Sequence, residues 1–112
     1  MIDSDVSKFV ENAENSWKEI YGGSSKAANT NIRVMDKIVA RKVADGTVLD
    51  FLVPLLSHNL AAVRYAAAAY LMNHEAKDQA ILVLRELVKN EAGLISSGAS
   101  AVLRVHKVPS AS

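Results

Sequence analysis

Shifted by 32 residues, the second half of this sequence falls onto itself. Leu52 meets Leu84, Leu55 meets Leu87 and Leu56 meets Val88. Further on, Val63 meets Ile95, Ala67 meets Ala99, Ala69 meets Ala101 and Leu71 meets Leu103. The stretch "RYAAAAYL" thus lies over "SSGASAVL". Few residues are identical, but large and small positions stay in phase. A stacked helix-turn-helix unit needs that phase, because each unit buries its neighbour's face.

The run Ala66–Ala69 between two tyrosines is the sharpest part of the repeat. Side chains at a helix contact set the distance between axes, about 8 Å at the close end, and alanine or glycine permits that end. Helix propensity alone also favours alanine. It does not explain Gly98, a poor helix former, one unit later. The small residues therefore mark two helices gripped from several sides.

Apolar residues recur at spacings of three and four along the rest of the chain, which predicts an all-α fold of about six helices. Val6, Phe9, Val10, Ala13, Trp17 and Ile20 trace one face of a first helix, with Asp3 or Ser4 as N-cap. Gly22-Gly23-Ser24-Ser25 interrupts, and either serine is suited to cap the second helix. That helix carries Ala28, Ile32, Met35, Val39 and Val43 on one seam and stops near Asp45-Gly46. Thr47 caps a third helix, which Pro54 should kink or end, since proline removes an intrahelical hydrogen bond. Ser57-His58-Asn59 is the next turn, and helices over 60–73, 76–89 and 93–106 follow. The expected organisation is one helical-repeat domain over 1–107, with a hairpin over 1–44, two units over 47–107 and a flexible tail at 108–112.

Half of the 112 residues are apolar, enough for a core that buries roughly 65% of the unfolded surface. With no cysteine, disulfides and thiolate metal sites are excluded. The polar, acidic N-terminus lacks the basic start and apolar stretch of a signal peptide. The longest near-apolar run, Leu60–Met72, is interrupted by Arg64 and falls short of the ~20 residues that span a bilayer. These features lead to the expectation of a soluble, cytoplasmic protein without membrane contact.

The line "LVPLLSHNLAAVRYAAAAYL" resembles a HEAT-type repeat: a leucine-rich helix, a short turn, then Val-Arg and an alanine-rich second helix. The whole chain is similar to a small bacterial HEAT-like family catalogued as a domain of unknown function. That family pairs an N-terminal helical hairpin with two such units. The resemblance implies a short HEAT-like α-α superhelix and a role in protein interaction, in some members as the immunity partner of a secreted toxin. Where HEAT units carry a turn aspartate that pairs with the arginine, this chain has His58 before Arg64. The turn's prolines and aspartate are absent, so Asn59 is expected to supply the cap. In the second unit Ser96 stands where the arginine would be.

Motifs for chemistry are missing. His58, His74 and His106 share no ligand-like spacing, and His74 falls at a helix end, where the dipole favours an imidazolium. Ser96, Ser97 and Ser100 lack a glycine-framed nucleophile elbow and read as small residues on a packed helix. There is no glycine-rich phosphate loop. The reading is a non-enzymatic protein with no cofactor and no metal.

One surface pattern remains. The net charge of +1 conceals five acids against two bases in residues 1–23 and five bases against Asp36 in residues 24–44. At about 100° per residue, Lys26, Arg33, Lys37 and Arg41 fall on one face of the second helix, opposite its apolar seam. A solvated helix face is the plainer reading of such a stripe; as a binding surface it suits an acidic protein partner better than nucleic acid, since the pI is near 8.0 and no aromatic side chain interleaves the bases. Nucleic-acid binding through this face is the alternative, and an unrecognised enzyme a more distant one. A short array leaves a terminal face to cover, so a monomer or a weak homo-oligomer is expected.

Overall fold

The spacing of apolar residues reads through into helices. The computed structural model describes residues 4–23, 25–74, 76–91 and 93–109. They form α1 (Ser4–Tyr21), α2 (Ser25–Asp45), α3 (Val48–Leu52), a 3₁₀ turn (Val53–Ser57), α4 (Ala61–Leu71), α5 (Lys77–Asn90) and α6 (Gly93–Val105). Among the described residues there is no strand, and no helix is long and apolar enough to cross a membrane. The all-α expectation of about six helices is met. The capping residues proposed at Asp3 and Ser24 lie outside the described residues.

The chain divides into two compact units, Met1–Phe51 and Leu52–Ser112. The sequence placed a boundary near Asp45-Gly46, where α2 does stop. Gly46 adopts φ +73°, its amide donates to Val43 O at 3.1 Å, and the Thr47 amide donates to Lys42 O at 2.9 Å. This is the left-handed helix ending that glycine makes cheap. The first unit nevertheless continues to Phe51. Its ring meets Phe9 of α1 edge-on, with centroids 5.7 Å apart and planes at 88°. Lys42 Nζ lies 5.0 Å from the centre of the Phe51 ring. Both contacts pull the first turn of α3 back onto the hairpin.

Within that hairpin the buried faces are narrower than the apolar pattern. On α1, Phe9, Ala13 and Ser16 are buried, whereas Trp17 is only half-buried. Ser16 is tolerated there because its hydroxyl donates to Ala13 O at 2.9 Å, so no polar atom is orphaned. On α2 the buried residues are Ala28, Met35, Ile38 and Val39. Ile32 and Val43, both placed on the seam by the sequence, are 37% and 48% exposed. Set at about 100° per residue from Met35, they lie some 60–80° away, at the margin of a face that covers a single neighbouring helix. Ile38 was not on the expected seam and belongs to the core.

In the second unit Pro54 ends α3 as anticipated. The helix gives way at Leu52 to a 3₁₀ turn with proline in its first two positions, where a missing N–H costs nothing. α4, α5 and α6 then pack in sequence. Some positions related by the 32-residue shift match in burial, while Leu56 and Val63 are buried and their counterparts Val88 and Ile95 only half-buried. Leu52 and Leu84 are both 0% exposed, as are Ala67 and Ala99, and Leu71 and Leu103. Four of these six sit on the helices that the small residues marked.

Val108 and Pro109, which the sequence placed in a flexible tail, are tied to α6 and α5. Lys107 takes φ 60°, and the Val108 amide donates to Leu103 O at 2.8 Å, closing α6 with the same left-handed ending as α2. Arg85 Nε then donates to Pro109 O at 3.1 Å. Residues 110–112 lie outside the described residues.

Candidate functional site

The basic residues of α2 separate into two sets. Relative to Met35 at the centre of the buried face, Lys26, Arg33 and Lys37 lie within about 20° of the opposite pole, while Arg41 stands only some 120° round. The three polar-face bases are exposed. No carboxylate among the described residues pairs with them. They extend over about 16 Å at 1.5 Å per residue, and neighbours along the stripe stand within about a Debye length or little more, so their fields add.

Arg41 is turned toward α1. Its Nη2 donates to Asp5 Oδ1 at 2.9 Å, and Lys42 Nζ reaches the other oxygen of the same carboxylate at 3.2 Å. Hydrogen bonds from Arg41 and then Lys42 hold the Asp5 carboxyl below its ordinary value of 3.8. The Arg41 member of the predicted stripe is therefore a strap between the two helices of the hairpin. Among the described residues, the attraction between an acidic first segment and a basic second segment, visible in the composition, is realised at Asp5. Sequence reasoning missed Lys42, because its spacing from Arg41 puts it off the stripe. Its side chain is in fact only 18% exposed, between Asp5 and the Phe51 ring.

A second polar feature sits in the turn before α4. Leu56, Ser57, His58, Asn59, Arg64 and neighbouring residues of α5 line an open cleft of about 410 Å³. Arg64 Nη1 donates to His58 O at 2.8 Å and to Asn59 O at 3.0 Å. The Leu60 amide donates to His58 Nδ1 at 3.1 Å, which requires the tautomer protonated on Nε2. Asn59 makes no side-chain cap; α4 begins at Leu60 without one. His58 thus receives a backbone N–H, and Arg64 grips two carbonyls. In the next unit Ser96, the counterpart of Arg64, donates its hydroxyl to Val88 O at 3.0 Å. Both side chains tie the start of a helix to the segment before it, which accounts for Ser96 structurally.

Among the described residues no group of three His, Cys, Asp or Glu side chains is placed to hold a metal ion. Compared with known protein families, characterised proteins and solved structures, the chain gives no significant match.

Proposed function

We propose that this chain is a non-enzymatic protein-interaction module, built on HEAT-like helical repeats, whose α2 face receives an acidic protein partner. One observation carries the reading: Lys26, Arg33 and Lys37 form an exposed basic line with no ion pair among the described residues, while Arg41 next to them is spent on Asp5. Exposed charges contribute little to stability, so three bases on one face, without an ion pair among the described residues, are better accounted for by association than by folding. The HEAT-like reading is supported by the 32-residue repeat, in which Leu52 and Leu84, Ala67 and Ala99, and Leu71 and Leu103 are alike fully buried, and by arginine and serine acting at equivalent places. A role as the immunity partner of a toxin is one form such a module takes, and a cytoplasmic location suits a chain without cysteine.

Two titrations test the reading. A fluorescent polyglutamate peptide at low salt should bind the parent more tightly than a Lys26→Glu/Arg33→Glu/Lys37→Glu variant. A labelled DNA duplex at ~50 mM salt should show only the weak, non-specific range of about 10⁻⁴–10⁻⁶ M. Equal peptide binding by both proteins removes the basic face from the account. Saturation by nanomolar duplex, steeply lost with added salt, transfers the face to nucleic acid.

A further inference from the structure

We propose that the cleft between the His58 turn and α5 binds a small zwitterion of dipeptide size, its carboxylate held by Arg64 and His58 and its ammonium by Glu86, whether or not α2 receives a partner. The cleft measures about 410 Å³, within the range of small-molecule sites. The turn and the start of α4 supply Ser57, His58, Asn59 and Arg64 on one side. α5 supplies Val83 and Glu86 on the other.

Arg64 enters the cleft with one nitrogen already committed. Its Nη1 donates to His58 O and Asn59 O, at 2.8 and 3.0 Å. That leaves the Nε–Nη2 edge, the fork that receives a carboxylate through two parallel hydrogen bonds. The two carbonyls also hold the guanidinium in place, so little further order is lost when a ligand binds. His58 adds another donor. Its Nδ1 accepts the Leu60 amide at 3.1 Å, so Nε2 carries the ring proton.

Glu86 selects the other end of the ligand. It is exposed, and it forms no ion pair with Arg64 or with any other base among the described residues. Two opposite charges from separate elements thus line one cleft, beyond ion-pair reach of each other. Among the described residues no other lysine, arginine, aspartate or glutamate lines it. A simple anion would meet Glu86 there, and a simple cation would meet Arg64, each at a cost. A zwitterion finds a complement at both ends. A single α-amino acid carries both charges on one carbon, whereas a dipeptide spreads them across a peptide bond. The Ser57 hydroxyl and Asn59 amide suit that bond's N–H and C=O, and Leu56 and Val83 offer apolar surface to a side chain.

The test is an amide-resolved NMR titration of the protein with glycyl-leucine. The Leu60 and Val83 amides and the Arg64 Nε–H should shift saturably with a Kd of about 1 mM, as suits a small ligand held by two exposed charges. N-acetyl-glycyl-leucine lacks the ammonium, glycyl-leucinamide lacks the carboxylate, and leucine is too short to span both walls. Each should bind roughly fivefold more weakly, the worth of one exposed ion pair. Glu86→Gln, at an exposed position without an ion pair, should fold like the parent and weaken glycyl-leucine by roughly the same factor. It should bind the acetylated form no more weakly than the parent does, which separates a lost charge contact from a damaged cleft. No saturable shift up to ~20 mM, or shifts centred on other residues, overturns the proposal. So does leucine or either blocked form binding as tightly as the dipeptide, or Glu86→Gln binding the dipeptide as tightly as the parent.

Discussion

A Cβ added to Gly98 of α6 would stand 3.0 Å from Tyr65 Oη and 3.1 Å from Tyr65 Cε2 of α4. The phenol ring therefore occupies the space that a side chain on α6 would need. Replacing a helix-interior glycine by alanine normally gains about 1 kcal/mol from propensity. Here Gly98→Ala should gain little or lose stability in the parent, and recover the full gain when Tyr65→Ala has removed the ring. A double-mutant cycle from urea melts should thus show a coupling of at least ~0.5 kcal/mol. Additive single effects would mean that the glycine is not there for the ring.

Ala67 is fully buried on α4, as is its repeat counterpart Ala99 on α6. At full burial, three more carbons must displace packed neighbours. Ala67→Leu should lower stability by about 2 kcal/mol or more, within the usual cost of overpacking. The urea midpoint measures it, and a midpoint equal to the parent's would return the alanine run to helix propensity.

How far the sequence reached depends on the range of the interaction. Features set by neighbours in the chain were legible: the stop at Gly46, the early end at Pro54, and the phase of the 32-residue repeat. Contacts across the hairpin were not. Asp5 and Arg41 are 36 residues apart, and nothing in either segment says which base of α2 will meet which acid of α1. The helical angle held the signal, since Arg41 is the member of the stripe nearest the buried face, but that face could be centred on Met35 only once Ile38 was known to be inside. The turn at His58 failed for another reason. Asn59 is the better N-cap by residue preference, yet the Arg64 guanidinium already takes its carbonyl and the imidazole takes the Leu60 amide.

The strap at Asp5 makes stability depend on pH. Arg41 and Lys42 favour the ionised carboxylate, so the folded group titrates below its ordinary 3.8. Its contribution is complete above that ordinary value and is lost as pH falls through the lower folded value. Asp5→Asn should therefore be less stable than the parent at neutral pH, and the two should converge in acid. A pH series of urea midpoints gives the comparison. A difference that persists below the carboxylate range would show that the substitution acts through packing instead.

Arg64 closes the turn before α4 by donating to two backbone carbonyls. Arg64→Met keeps much of the aliphatic stem and removes the donors. The expected loss is about 1 kcal/mol, the net worth of such hydrogen bonds where water can reach the freed carbonyls. Amide exchange at Leu60 and Val63 should accelerate with it. Unchanged exchange at these amides would contradict a role in holding the turn.

The claim that Lys26, Arg33 and Lys37 are reserved for an acidic partner is tested most directly by quantitative affinity capture from the source cell, parent against the triple glutamate variant, at low and at raised salt. The account predicts an acidic protein recovered in near-stoichiometric amount by the parent. Its recovery should fall at least tenfold with the variant and decline with salt, because exposed charge pairs are screened. Melting temperatures of the two baits should agree closely, since these exposed bases form no ion pair among the described residues. The same proteins recovered in equal amount by parent and variant, at both salts, would contradict it.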